Sequence, residues 1–264
     1  MKKEISYNNY DYHVHIGQFY EVYYNPYKIV DVLSYCGIEG AYVSSTTSCL
    51  CWDTSEEKNM IVAHIKAEFD ELLSYAHEKK FDARPVCWVI PQRYYEGDSV
   101  EQMYTESSYQ GFKIHPRAHR WNLEKKETRM LLDDICKTAE SINVPVIVHT
   151  GLSDFERPSK FEYWFKNFPK TTFILAHCKK IDEMLIMLDN YSNLYGDVSF
   201  SLPNDVRRII DTDYFKRFLY GTDFPITTYT YNMKFYDNKT LYQNYKTISS
   251  EWNKYMHRFG SLLT

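Results

Sequence analysis

Residues 10–16 read Tyr-Asp-Tyr-His-Val-His-Ile. In an extended strand, residues two apart project to one face, roughly 6 to 7 Å apart along the chain, so His13 and His15 can both reach a single metal ion. The same alternation puts Asp11 on the face of the two histidines, one step deeper. Further polar residues stand at the C-terminal ends of later apolar runs: His149 in PVIVHTG (145–151), His177 in FILAHC (173–178) and Asp223 in LYGTDFP (219–225). A parallel barrel builds its active site in this way, from several strand ends at one mouth.

Eight short apolar, β-branched or aromatic runs are predicted as strands: Tyr10 to Ile16, Gly40 to Ser44, Pro85 to Ile90, Gly111 to His115, Pro145 to His149, Thr172 to His177, Leu194 to Phe200 and Phe218 to Thr222. Helical stretches lie between them. One starts at Asn25-Pro26 and stops at Gly37, a long one spans Glu56 to Lys80, TRMLLDDICKTAESIN (128–143) has apolar residues at helical spacing, and a last one runs from Lys239 to about Phe259. Such alternation argues for parallel strands joined by crossover helices. The 264 residues are close to the roughly 250 of an eight-stranded barrel. The expected architecture is therefore α/β, a single (β/α)8 TIM-like barrel domain over residues 1–264 with a C-terminal helix.

A formal net charge of −4 gives no basic excess, so neither a nucleic-acid backbone nor an anionic membrane surface is an expected partner, and a small-molecule substrate is. No run of about 18 apolar residues is present to span a membrane. The opening MKKEISYNNYDY has no apolar stretch behind its lysines, which makes the cytoplasm the expected compartment. Six cysteines without a C-x-x-C pair read as reduced thiols, and Cys49-x-Cys51 is too closely spaced for a usual zinc pair. Tyrosine is abundant, at 25 residues, and rings in such excess over a core's needs are expected on loop walls or at a contact between subunits of a homo-oligomer.

One histidine at a strand end is usually a packed core or surface group. The set is harder to explain that way, because each member would bury a polar group without an evident partner, and a shared cation supplies one. Neutral imidazoles with a carboxylate suit zinc, with manganese or iron(II) as alternatives, and leave room for a water whose pKa coordination lowers toward about 7.

The order His-x-His, Lys113 in GFKIHP, PVIVHTG, FILAHC and YGTDFP resembles the amidohydrolase superfamily, most closely its amidohydrolase-2 branch of small barrels, which includes metal-dependent decarboxylases. The resemblance runs from Asp11 to Pro225. It implies a distorted (β/α)8 barrel in which His13, His15, His149 and Asp223 bind one divalent metal, usually zinc, with His177 beside it as an electrophilic or proton-transfer residue. Asp223 is then placed to take the proton of the attacking water, and His177 to stabilise the oxyanion.

Several residues keep two readings. Asp11 is either a partner for an imidazole N–H or a structural hydrogen-bonding group. Lys113 is a carboxylated bridge in two-metal members of the superfamily; in the branch resembled here it is usually unmodified, an ammonium that holds a substrate anion or pairs with a carboxylate. His115 touches substrate or caps its strand. Arg117, in the loop of residues 116–121, holds a substrate carboxylate or phosphate or is simply solvated. Trp52, Trp88 and Arg157 are weaker substrate-facing candidates, and Gly151 and Gly221 are expected to allow tight turns. The expected activity is hydrolysis of a C–N or C–O bond in a small carbonyl compound. A nonoxidative decarboxylase and a two-metal phosphodiesterase or DNase are the alternatives.

Overall fold

The computed structural model describes residues 9–201 and 203–227. The helix expected from Lys239 lies outside them. Nine strands, β1 (Tyr10–Phe19), β2 (Val22–Tyr24), β3 (Gly40–Ser45), β4 (Asp82–Trp88), β5 (Phe112–Ile114), β6 (Val146–His149), β7 (Phe173–Ala176), β8 (Leu194–Asp197) and β9 (Phe218–Leu219), form one sheet in the order β2-β1-β3-β4-β5-β6-β7-β8-β9. From β1 through β3 to β9 every pairing is parallel. The helices between them are α1 (Pro26–Tyr35), α2 (Ser55–Lys79), α3 (Pro91–Tyr95), α4 (Val100–Thr105), α5 (Lys126–Ile142), α6 (Glu162–Asn167), α7 (Ile181–Asn190) and α8 (Pro203–Ile210). The architecture is thus α/β with parallel crossovers.

Local chemistry sets the helix ends. The Asn25 side chain accepts the N–H groups of Tyr27 and Lys28 to start α1, and Gly37, at φ 82°, turns the chain away after it. Thr54 and Glu57 form a capping box at the start of α2. The strand absent from the sequence reading is β2, whose three residues are too few to show a period; it pairs antiparallel with the end of β1.

The two ends of the parallel row also meet. Past β9 the chain runs beside β1, where Tyr12 N–H donates to Tyr220 O at 2.9 Å, Asp223 N–H to His13 O at 2.8 Å and His15 N–H to Phe224 O at 2.8 Å. The strands' outer face, including Val14, Val43, Phe112, Ile114, Val148 and Leu175, packs in the core beneath the helices. Their inner face begins with a separate layer made of Tyr10, Tyr12, Tyr42, Val86, Ile147, Ile174, Ala176 and Leu219. Two residues further along, the same face carries Ser44, Trp88 and His149, so the pleat that buries the tyrosine layer also lifts a polar layer above it.

β1 breaks that alternation. Its register against β3 shifts between Asp11 and Val14, so Tyr12 joins the inner tyrosine layer while its neighbour His13 stacks on the inward-facing His177 ring. Asp11 is thereby turned away from the two histidines, contrary to the strict two-residue pattern. Its carboxylate accepts from the His13 N–H at 3.1 Å and from the Thr222 N–H and hydroxyl at 3.1 and 2.6 Å, which ties β1 to the segment after β9. The structural alternative for Asp11 is the one these contacts describe. Among the described residues no helix is long and apolar enough to cross a membrane.

Candidate metal centre

The polar layer floors a cavity of about 800 Å³. At its base His13 Nε2 and His15 Nε2 lie 3.1 and 2.8 Å from Asp223 Oδ1, and all three residues are buried. Donor atoms about 3 Å apart are what an ion with bonds of about 2.1 Å requires. Burial alone would raise the Asp223 carboxyl, but the adjoining His13, the hydrogen bond from His15 and the Lys113 ammonium outweigh it and hold the pKa at about 2. Burial lowers His15 to about 4, and Ser44 Oγ lies 3.1 Å from its Nδ1. Charged oxygen and neutral nitrogen therefore face one point.

Lys113, on β5 between the outward Phe112 and Ile114, reaches into that group. Its Nζ is 2.7 Å from His13 Nε2 and 5.8 Å from the centre of the Trp88 ring. Burial pulls its pKa down to about 8, against the opposing pull of Asp223 and Asp197.

His149 stands one imidazole away from the trio. Its Nδ1 is 3.0 Å from His177 Nε2, and the His177 ring stacks at 4.9 Å on His13. His115 stacks on His149 at 3.6 Å between ring centres, and Trp88 stacks on His115 at 5.2 Å. Burial lowers His149 to about 4 and takes His115 and His177 well below the ordinary value. The resemblance implies a ligand set of His149 with His13, His15 and Asp223; the side chains bring the last three into contact and link His149 to them through His177. Arg117 is exposed on the cavity wall. Of the weaker candidates Trp88 lines the cavity, whereas Trp52 donates to Glu96 at 2.9 Å and Arg157 to Glu183 at 2.9 Å.

Three participants escaped the sequence reading. Asp197, fully buried at the end of β8, has Oδ2 2.8 Å from His13 Nδ1. Its Oδ1 accepts the N–H groups of Ser199 at 2.9 Å and His177 at 3.3 Å, and the Ser199 hydroxyl. Although burial raises it, the close contact with His13 and the hydrogen bond from Ser199 keep its carboxyl below the ordinary range. Ser199 Oγ in turn is 2.8 Å from His177 Nδ1. The third, Glu156, is 1% exposed in the loop after β6 and brings Oε1 to 3.4 Å from His149 Nε2. The signal for Asp197 was present: LYGD is an apolar run closed by a polar residue, as PVIVH is.

Gly151 and Gly221 act through space rather than through a turn, since neither has positive φ. A Cβ on Gly151 would meet the Glu156 carboxylate at 2.6 Å, and one on Gly221 would meet His13 Cβ at 3.1 Å. Both allow close approach of backbone to the polar layer.

A family model described as Amidohydrolase matches residues 63–255. No curated protein matches the chain. Among solved structures, an amidohydrolase II is similar with a TM-score of 0.58 at 13% identity, covering 91% of this chain and 99% of that one. The 4-oxalomesaconate hydratase from Rhodopseudomonas palustris is similar with a TM-score of 0.53 at 9% identity, covering 86% of this chain and 81% of that one. At these identities the two structures speak to the fold alone.

Proposed function

The chain belongs to the amidohydrolase family, and from that premise we propose that it is a metal-dependent hydrolase of a C–N or C–O bond in a small carbonyl compound such as an amide or lactone. The fold that fits this reading is a (β/α)8 barrel, supported by the backbone bonds between β1 and the segment after β9. The observation that carries the function is Asp223 Oδ1 within 3.1 Å of two imidazole Nε2 atoms. His13, His15 and Asp223 would hold one divalent ion, zinc by donor type, with His149 as the further nitrogen. Such an ion supplies Lewis acidity to a water and to the substrate carbonyl.

The remaining work belongs to the protein. Asp223 accepts the proton of the attacking water and delivers it to the leaving group, and His177 lines the cavity beside it. Arg117 and His115 orient the substrate from the wall. The cavity volume suits a small molecule. Lys113 stays an unmodified ammonium, which repels a second cation and keeps the centre mononuclear. Asp223→Asn tests the assignment: turnover should fall by about 10²–10⁴-fold while part of the metal binding persists, because an amide oxygen ligates but takes no proton. Near wild-type turnover in that variant would remove Asp223 as the base.

One observation favours a nonoxidative decarboxylase as the second reading. The buried Lys113 amine, with its pKa of about 8, is a proton source inside the cavity for the carbanion that loss of carbon dioxide leaves. Measuring carbon dioxide release against acid release on candidate substrates separates the two.

A further inference from the structure

We propose that Asp197 is a positioning residue that decides which ring nitrogen of His13, His177 and His149 carries the proton, leaving Nε2 of His13 and of His149 bare toward the cavity. The proposal rests on the metal-centre reading above and adds to it the device that readies the nitrogens. In a neutral imidazole one ring nitrogen donates and the other accepts, so the partner of one settles the state of the other.

An ionised carboxylate only accepts, and Asp197 serves two branches. On the first, Oδ2 lies 2.8 Å from His13 Nδ1, closer than the 3.1 Å between Asp223 Oδ1 and Nε2, so the shorter contact places the proton on Nδ1. Lys113 Nζ, a donor, sits 2.7 Å from that Nε2 and agrees with the assignment. On the second branch the Ser199 hydroxyl gives its one proton to Asp197 Oδ1. Ser199 Oγ is then left to accept, from His177 Nδ1 at 2.8 Å and, more distantly, from His13 Nδ1 at 3.3 Å. With its proton on Nδ1, His177 Nε2 is an acceptor, and its neighbour at 3.0 Å, His149 Nδ1, must donate. His149 Nε2 ends the relay bare.

An independent contact fits that last step. Glu156 Oε1 lies 3.4 Å from His149 Nε2 yet has no hydrogen-bond partner among the described residues. A cation between that oxygen and a bare Nε2 would satisfy both. One carboxylate at the end of β8 thus orders protons across three strands.

Long-range ¹⁵N–¹H spectra of the imidazoles in the full-length chain, metal-free and zinc-loaded, test the relay, together with zinc affinity measured by chelator competition. In the metal-free wild type, His13, His177 and His149 should all be Nδ1–H tautomers. In Asp197→Asn the N–H groups of His177 and Ser199 keep the amide oxygen on their side, so Nδ2 faces His13 and moves its proton to Nε2. His177 and His149 should then be unchanged, and zinc affinity should drop about 10- to 100-fold. Ser199→Ala should release His177 and His149 from a single tautomer while His13 keeps its own, and Ser199→Thr, which retains the hydroxyl, should restore the wild-type pattern. An Nε2–H tautomer at His177 or His149 in the wild type, or an unaltered spectrum in Ser199→Ala, would overturn the relay. If a variant does not fold, the wild-type spectrum alone decides. The Nδ1–H pattern without zinc binding would leave the relay standing and remove the metal-centre reading.

Discussion

The two halves of the cavity floor are held by different physics. On one side the charged Asp223 and Lys113 interlock with the His13 and His15 imidazoles, with donor and acceptor atoms 2.7 to 3.1 Å apart. On the other, His115, His149 and His177 are neutral rings packed on one another, at 3.6 to 4.7 Å between centres, beside a buried carboxylate oxygen with no hydrogen-bond donor among the described residues. The difference teaches that a preformed ligand set and a preformed proton order are separate requirements. Ion pairing supplies the first, and hydrogen-bond direction supplies the second.

The largest expected effect falls on the charged half. His13→Ala or His15→Ala should bring bound zinc to background, because a site with few ligands loses most of its affinity with one. His149→Ala should leave a measurable, weaker zinc site, since His149 is not among the donors that converge on Asp223 Oδ1. Metal analysis of the three purified variants checks this order. Equal loss in all three would erase the distinction between the halves.

A smaller effect comes from desolvated imidazoles on both sides and beyond the floor, and is read by acid. Burial lowers His15, His119 and His149 to about 4, whereas in the unfolded chain they titrate near about 6.5. Between those values the unfolded chain binds more protons, so the stability of the metal-free protein is present above about pH 6.5 and is lost as pH falls toward about 4. Asp11 acts in the opposite sense, since burial raises it to about 7 and its contribution fades as pH rises to that value. His115 and His177, also lowered by burial, add to the three, and Glu68, raised by burial, joins Asp11 on the other side. Urea midpoints measured from pH 7 to 4.5 should therefore fall, and a flat profile would mean that the rings are not desolvated as described. His119→Gln, which removes one imidazole outside the polar layer, should flatten the slope by one proton's share.

These contrasts also explain what the sequence could and could not show. His149 and Asp223 were legible because each closes an apolar run, where a strand's buried face meets the mouth. Asp197 closes LYGD in the same way, but aspartate at a strand end is so often a turn residue that it carries little signal alone. The bulge that puts Tyr12 and His13 on one face left no trace in composition, so strict alternation misplaced Asp11. Glu156 lies in a loop without periodicity, and only the fold brings it over His149. The predicted strand ends overran the pairing at β4, β5, β7, β8 and β9: Val89, Ile90, Val198 and Tyr220 continue the apolar character past the last ladder pair, and His115 and His177 are the polar residues that close their runs.

The central claim is one divalent ion held by His13, His15 and Asp223 with His149 in support, and metal stoichiometry of the purified full-length protein tests it most directly. The account predicts one tightly held equivalent, an unmodified Lys113 in the intact-protein mass and activity independent of added bicarbonate. Two equivalents with a carboxylated Lys113, or no metal retained at any pH above 6, would contradict it.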